Sequence, residues 1–182
     1  MSSEARSKSG EVFIVGLAEV AVSQDPNLSL RTCPLGACIG IAIYDPVAKV
    51  GGVLHSLLPD SRIDVKRAAD RPGMFIDTGL AELLKRALGQ GATRENLLIF
   101  AAGGAQIIDE TTSFNIGKRN HMVMRKILWK AGVMVHHEDV GGTVPRTARL
   151  EIGTGRVFVS FGREQREIQL IENERRIANN GL

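Results

Sequence analysis

Residues 32–59 read TCPLGACIGIAIYDPVAKVGGVLHSLLP. Two apolar runs, residues 38–44 and 50–58, stand on either side of DPVAK, and Asp45-Pro46 is a turn signal because proline presets φ and aspartate hydrogen-bonds its own turn. The pattern predicts a hairpin with Cys38 at the head of its first strand and His55 on the returning strand. Sequence distance between the thiol and the imidazole therefore need not mean spatial distance.

Upstream, residues 11–23 (EVFIVGLAEVAVS) are rich in β-branched side chains and predict one largely buried strand, ended by the turn residues QDPN and followed by a short strand at 28–31. Downstream the period changes. Leu80, Leu83, Leu84, Ala87 and Leu88 share one face between residues 73 and 90, with Glu82, Lys85 and Arg86 opposite, which marks an amphipathic helix. Residues 97–102 return to strand character and close at Gly103-Gly104. Asn115 suits the N-cap of a second helix whose apolar face carries Met124, Ile127 and Leu128. Strands follow at residues 133–140, 146–152 and 156–161, and the charge-rich stretch beyond Gly162 reads as a marginal helix or a loose end.

This order predicts an α+β fold: a single-domain layered α/β sandwich with a mostly antiparallel sheet and two main helices. Its expected divisions are a flexible polar leader at residues 1–10, the folded domain at 11–162 and a charged C-terminal tail at 163–182. A chain of 182 residues buries one real core and falls short of the size at which two domains become the rule. The formal charge is only +3 and the basic residues are scattered along the chain, so nucleic acid is not the expected partner. No apolar run reaches a membrane span and the N-terminus lacks a secretory signal, which predicts a cytoplasmic protein without membrane insertion. In that compartment both cysteines, Cys33 and Cys38, stay reduced thiols.

Cys38 is the leading candidate for chemistry. The small residues Leu35-Gly36-Ala37 before it let backbone N–H groups approach a substrate carbonyl, and an imidazole such as His55 activates a thiol by accepting its proton. Residue pattern equally admits an inert core thiol and a satisfied strand histidine. The C-x4-C spacing of Cys33 and Cys38 lacks a second ligand pair, and His136-His137 are adjacent, so neither metal nor cofactor is expected. The glycine pairs match no phosphate-binding loop. A Cys33/Cys38 redox pair is a further reading without the usual C-x-x-C spacing.

The order of Gly36-Ala37-Cys38, Tyr44-Asp45-Pro46 and Gly51-Gly52-x-x-His55 resembles the CheD family of bacterial chemoreceptor glutamine deamidases. Further matches are Phe75-Ile76-Asp77-Thr78, Gly103-Gly104-Ala105, IGKRN at 116–120, Asp139-Val140-Gly141-Gly142 and Gly155-Arg156-Val157, so the resemblance spans residues 12–161. Departures are Cys33-Pro34 before the nucleophile, the AAGGA of residues 101–105 and the tail. The resemblance implies a sandwich like that of toxin-type cysteine deamidases. It also implies a nucleophile at Cys38, a base at His55 and a supporting Thr32. The implied substrates are methyl-accepting chemotaxis proteins, whose glutamines become glutamates through a thioester, and a CheC-type phosphatase is an implied partner. The alternative is a binding module that docks on such a phosphatase or a receptor with little catalysis.

Overall fold

The computed structural model describes residues 10–106 and 115–168. Residues 1–9 of the expected leader and 169–182 of the expected tail lie outside the described residues. Two five-stranded sheets pack face to face. The first runs in the order β1 (Glu11–Val15), β3 (Leu28–Thr32), β8 (Thr147–Glu151), β9 (Val157–Phe161) and β10 (Glu164–Ile168). The second runs β2 (Glu19–Ser23), β5 (Val50–Ser56), β4 (Ile39–Asp45), β6 (Leu98–Gly103) and β7 (His137–Val140). Only β1 with β3 and β6 with β7 pair in parallel. The short α1 (Val65–Asp70) and the longer α2 (Ile76–Gly89) and α3 (Ile116–Lys130) complete the elements. This is the layered, mostly antiparallel α+β sandwich with two main helices that the element order predicts.

The β4–β5 hairpin is buried along its whole length. Ala42, Tyr44 and Val53 face the first sheet and meet Leu30, Ala148 and Leu150, while Ile39, Ile41, Ile43 and Leu54 face α2 and α3. A strand covered on both faces needs apolar side chains at every position, which is why these runs do not alternate. Gly51 and Gly52 serve one face each. A Cβ on Gly51 would stand 2.5 Å from Ile152 Cδ1 at the end of β8, and one on Gly52 would stand 2.8 Å from Leu83 Cδ1 on α2. The pair of glycines lets both neighbouring layers close onto the strand.

The structure departs from the sequence expectation at several points: the strand expected at residues 133–140 is confined to His137–Val140, α1 is an unexpected short helix, the stretch expected to be largely buried is exposed over residues 11–14, and two segments change the topology. Residues 11–23 form two strands in two different sheets, β1 and β2, with the chain crossing over at residues 16–18. Ala18 takes a φ of 62°, its N–H donates to the His55 carbonyl at 2.9 Å, and the Glu19 carboxylate accepts from the Gly16 N–H at 2.7 Å. Long-range bonds select this turn, and an alanine carries no local signal for it. In the stretch beyond Gly162, residues 164–168 are a strand, β10, paired with β9 across the two-residue connection Gly162-Arg163. Its side chains are exposed on an edge, so it shows no apolar period, and the Arg156–Glu167 ion pair and Arg166 over the Phe161 ring accompany the pairing.

The hairpin turn is held by Asp45, fully buried. Its Oδ1 accepts from the N–H of Val47 at 2.8 Å and Ala48 at 2.9 Å, and its Oδ2 from that of Thr93 at 2.9 Å. Burial alone would raise the Asp45 carboxyl, and the amides of Ala48, Thr93 and Val47 outweigh it and hold it below the ordinary range. A depressed carboxyl stabilises the fold above its unfolded value and loses that contribution as pH falls through its folded one. Asp45→Ala leaves the part-buried N–H groups of Val47, Ala48 and Thr93 without this acceptor, and water can reach some of them, so urea denaturation at neutral pH should show a loss of about 1–2 kcal/mol. The deficit should shrink toward pH 3, and an unchanged midpoint would show that the turn holds without the carboxylate.

Candidate functional site

In the β4–β5 ladder His55 stands opposite Gly40 and Ser56 opposite Ile39. Side chains of an antiparallel pair share a face, and so do those two residues apart along a strand. Cys38, two positions before Gly40, therefore lies on the His55 face, the one turned toward the first sheet, where it packs against the inter-sheet core. The two are diagonal neighbours, a relation that leaves Cβ atoms on the order of 7 Å apart or less, and no hydrogen bond joins the sulfur to either ring nitrogen in this structure. Gly40 between them is bare. A Cβ there would stand 2.7 Å from Leu35 Cδ1 and 3.3 Å from Thr32 Cγ2. Thr32, at the end of β3, thus reaches the same spot from the opposite sheet, and the three candidates converge around Gly40.

Their surroundings differ. Cys38 is half-buried and His55 is fully enclosed, so the thiol residue is the more accessible of the two. Burial pushes the Cys38 thiol above its ordinary value, opposed by its own backbone N–H, which favours the thiolate. Burial pushes His55 down, opposed by the Val15 carbonyl and the Glu19 carboxylate, the residue across from it on β2. Neither ring nitrogen of His55 makes a hydrogen bond of proper geometry, so the Val15 carbonyl acts on the ring without bonding it well, and desolvation prevails. Both groups rest uncharged: a thiol beside a neutral imidazole.

Thr32 is fully buried, and its Oγ1 accepts from the Ala148 N–H of β8 at 3.0 Å. It forms no hydrogen bond to His55 in this structure. Its hydroxyl keeps a second lone pair and its proton. The turn that carries Cys38 is tied down on its carbonyl side. Ala105 N–H donates to the Gly36 carbonyl at 2.8 Å and Gly104 N–H to the Cys38 carbonyl at 2.7 Å. Asn120, fully buried on α3, donates from Nδ2 to the Ala37 carbonyl at 3.0 Å and the Leu57 carbonyl at 2.9 Å. Its place in IGKRN gave it a motif without a role, because nothing local links residue 120 to residue 37. Among the described residues the Gly36 and Ala37 amides donate to no other backbone group.

The remaining candidates have other partners. Both cysteines are free, and Cys33 is half-buried with its N–H on the Val15 carbonyl at 3.3 Å. His136 Nδ1 accepts from the Ile99 N–H, His137 stacks on Phe100, and His121 faces Glu138 at 3.2 Å. Among the described residues no group of three His, Cys, Asp or Glu could hold a metal, and no helix is long and apolar enough to cross a membrane.

A family model described as CheD chemotactic sensory transduction matches residues 57–161. A Solibacter usitatus protein named as a probable chemoreceptor glutamine deamidase CheD is 49% identical over 158 residues, covering 87% of this chain and 94% of its own. A protein of the same name from Syntrophus aciditrophicus is 47% identical over 85% of this chain and 98% of its own, and one from Pyrococcus horikoshii 39% identical over 79% and 88%. With 158 of 182 residues aligned, at most the first 24 can fall outside, so positions 32, 38 and 55 lie within the Solibacter match. Among solved structures, a Neisseria meningitidis protein superimposes with a TM-score of 0.45 and 9% identity over 74% of this chain and 65% of its own, too loosely to bear on the site. The family match over more than half of the chain and the identity of these relatives make one conclusion plain: this chain belongs to the CheD family.

Proposed function

We propose that this protein is a chemoreceptor glutamine deamidase that hydrolyses side-chain amides through a thioester on Cys38. The observation that carries the reading is the placement of Cys38 and His55 on one face at the open end of one hairpin, with Cys38 half-buried and His55 enclosed. Family membership supports the substrate: its relatives are named for chemoreceptor glutamine, so the substrates here are methyl-accepting chemotaxis proteins. The proposed setting is cytoplasmic, in keeping with two free thiols.

In this mechanism the glutamine carboxamide meets Cys38 at the surface. His55, neutral at rest, takes the thiol proton as sulfur attacks the amide carbon. The carbonyl oxygen becomes an oxyanion, received by backbone N–H groups of the Gly36–Ala37–Cys38 turn. The imidazolium then returns its proton to the departing nitrogen, ammonia leaves, and a thioester remains. Water loses a proton to His55 and attacks the thioester carbon; sulfur departs, recovers the proton, and glutamate is released. Thr32 orients His55 through the lone pair that Ala148 leaves open. Each step is proton transfer or acyl transfer, so thiol and imidazole suffice to balance it.

Incubation of a chemoreceptor cytoplasmic fragment with wild-type protein should convert defined glutamines to glutamate by mass spectrometry, with ammonia released. Cys38→Ala should remain folded and lose the activity by at least about a thousandfold, as loss of a nucleophile does in such sites. A Cys38→Ala protein that deamidates at the wild-type rate ends the thioester reading. Tight receptor or phosphatase association that survives Cys38→Ala, with no ammonia from the wild type either, would make the protein a docking module instead.

The neutral pair has a pH signature. In a Cys33→Ala background, which leaves one thiol, iodoacetamide should alkylate Cys38 at a rate that still climbs beyond about pH 8.5, the ordinary thiol value. A plateau through the neutral range would reveal a preformed thiolate–imidazolium pair. Burial depresses His55, so kcat should fall only at a pH below the ordinary imidazole value of about 6.5.

A further inference from the structure

Three consecutive carbonyls of the nucleophile turn are held from outside. Gly36 and Cys38 are held by the backbone of residues 104 and 105, which directly follow β6. Ala37, between them, is held by a side chain 83 positions away, Asn120. A trans peptide unit is planar, with its C=O and the next N–H pointing in opposite directions. Anchoring the Ala37 carbonyl on Asn120 therefore points the Cys38 N–H away from α3, and this amide is the one that favours a negative sulfur. The Gly36 carbonyl, held by Ala105, aims the Ala37 N–H in the same manner.

Asn120 does a second thing. The last paired residues of the β4–β5 ladder at this end are Ile39 and Ser56, and the next pair would be Cys38 with Leu57. The ladder stops there. Asn120 Nδ2 spans the gap, one hydrogen to the Ala37 carbonyl and one to the Leu57 carbonyl, two residues beyond His55. Two acceptors on one nitrogen fix the amide's orientation and demand an –NH2 group; aspartate offers no donor and a hydroxyl only one. Asn120 Oδ1 is buried without a partner, so the amide is not there for a complete hydrogen-bond set of its own.

We propose that Asn120 is a positioning residue for deamidation: by holding Ala37 and Leu57 together it aims the Cys38 amide at the oxyanion and sets Cys38 against His55. The proposal rests on the thioester reading above. Unlike Cys38 or His55, Asn120 touches neither substrate nor a reacting atom, so its loss should leave substrate binding intact and slow the chemical step.

The test compares Asn120→Ala, Asn120→Ser and Asn120→Asp with wild type in the Cys33→Ala background. Ammonia release from a chemoreceptor cytoplasmic fragment gives kcat and KM, and circular dichroism with urea denaturation gives the folded fraction. Asn120→Ala should lower kcat by about 10- to 100-fold, short of the 10²–10³ lost when an oxyanion donor itself is removed, with KM and the folded fraction within about twofold of wild type. Asn120→Ser, which keeps one donor, should recover part of the rate. Asn120→Asp removes the donors and sets a carboxylate behind the turn, so its alkylation profile should move to higher pH. If Asn120→Ala does not fold, the Ser and Asp variants carry the same comparison. A wild-type kcat in any folded variant lacking both donors overturns the proposal, and so does a fall in kcat matched by an equal loss of folded fraction, which is a merely structural effect. Cys38→Ala serves as the control: ammonia released by it ends the thioester reading and this proposal together, whereas an inactive Cys38→Ala beside fully active Asn120 variants ends this proposal alone.

Discussion

The side-chain period of a β-strand is two, so a slip of one residue between β4 and β5 would send Cys38 and His55 to opposite faces of their sheet. Seven consecutive pairs, from Ile39 with Ser56 to Asp45 with Val50, hold the register. Both faces of the hairpin enforce it. Ala42, Tyr44 and Val53 fit the inter-sheet core, and Ile41, Ile43 and Leu54 fit the helical layer, so a slip would also misplace every one of these contacts. Asp45 holds the closed end through three amides, and Asn120 bridges the open end where the ladder stops. The hairpin is thus fixed at both ends by buried polar side chains and along its length by apolar ones.

The same burial sets the electrostatics. Enclosing an imidazole disfavours its cation, and half-burying a thiol disfavours its anion, so the resting pair stores no separated charge in the inter-sheet layer. An imidazole enclosed without well-formed hydrogen bonds costs about 1–3 kcal/mol relative to a satisfied group. A core that sought stability alone would place an aliphatic side chain beside Gly40. The ring's neutrality is what suits it to receive a proton at physiological pH. The more accessible flank of the site is the half-buried Gly36–Ala37–Cys38 turn with its small side chains.

Much of the architecture was legible in residue order. Asp45-Pro46 and the apolar runs beside it announced the hairpin, the spacing of Leu80, Leu83 and Ala87 announced α2, and Asn115 caps α3 by accepting from the Lys118 N–H as its residue type predicts. These are local signals, and each lies within a few residues of the structure it specifies. The crossover at Ala18 was hidden because an alanine at positive φ is stabilised from residue 55, and β10 was hidden because an exposed edge strand needs no apolar period. In the site, Cys38 and His55 could be read from one continuous stretch. Thr32 entered through family resemblance, and its bond to Ala148 spans 116 positions.

By itself the sequence determined the two main helices and the central strands, which hairpin carries the thiol and the imidazole, and which family the motifs resemble, because periodicity, turn chemistry and motif order are written in neighbouring residues. Only the tertiary structure decided that the first β-rich run divides between two sheets and that His55 is enclosed while Cys38 is half-buried. It alone assigned Asn120 the tether between residues 37 and 57. Burial and hydrogen bonds between distant segments depend on how layers stack, and stacking is a property of the whole chain that no short window contains.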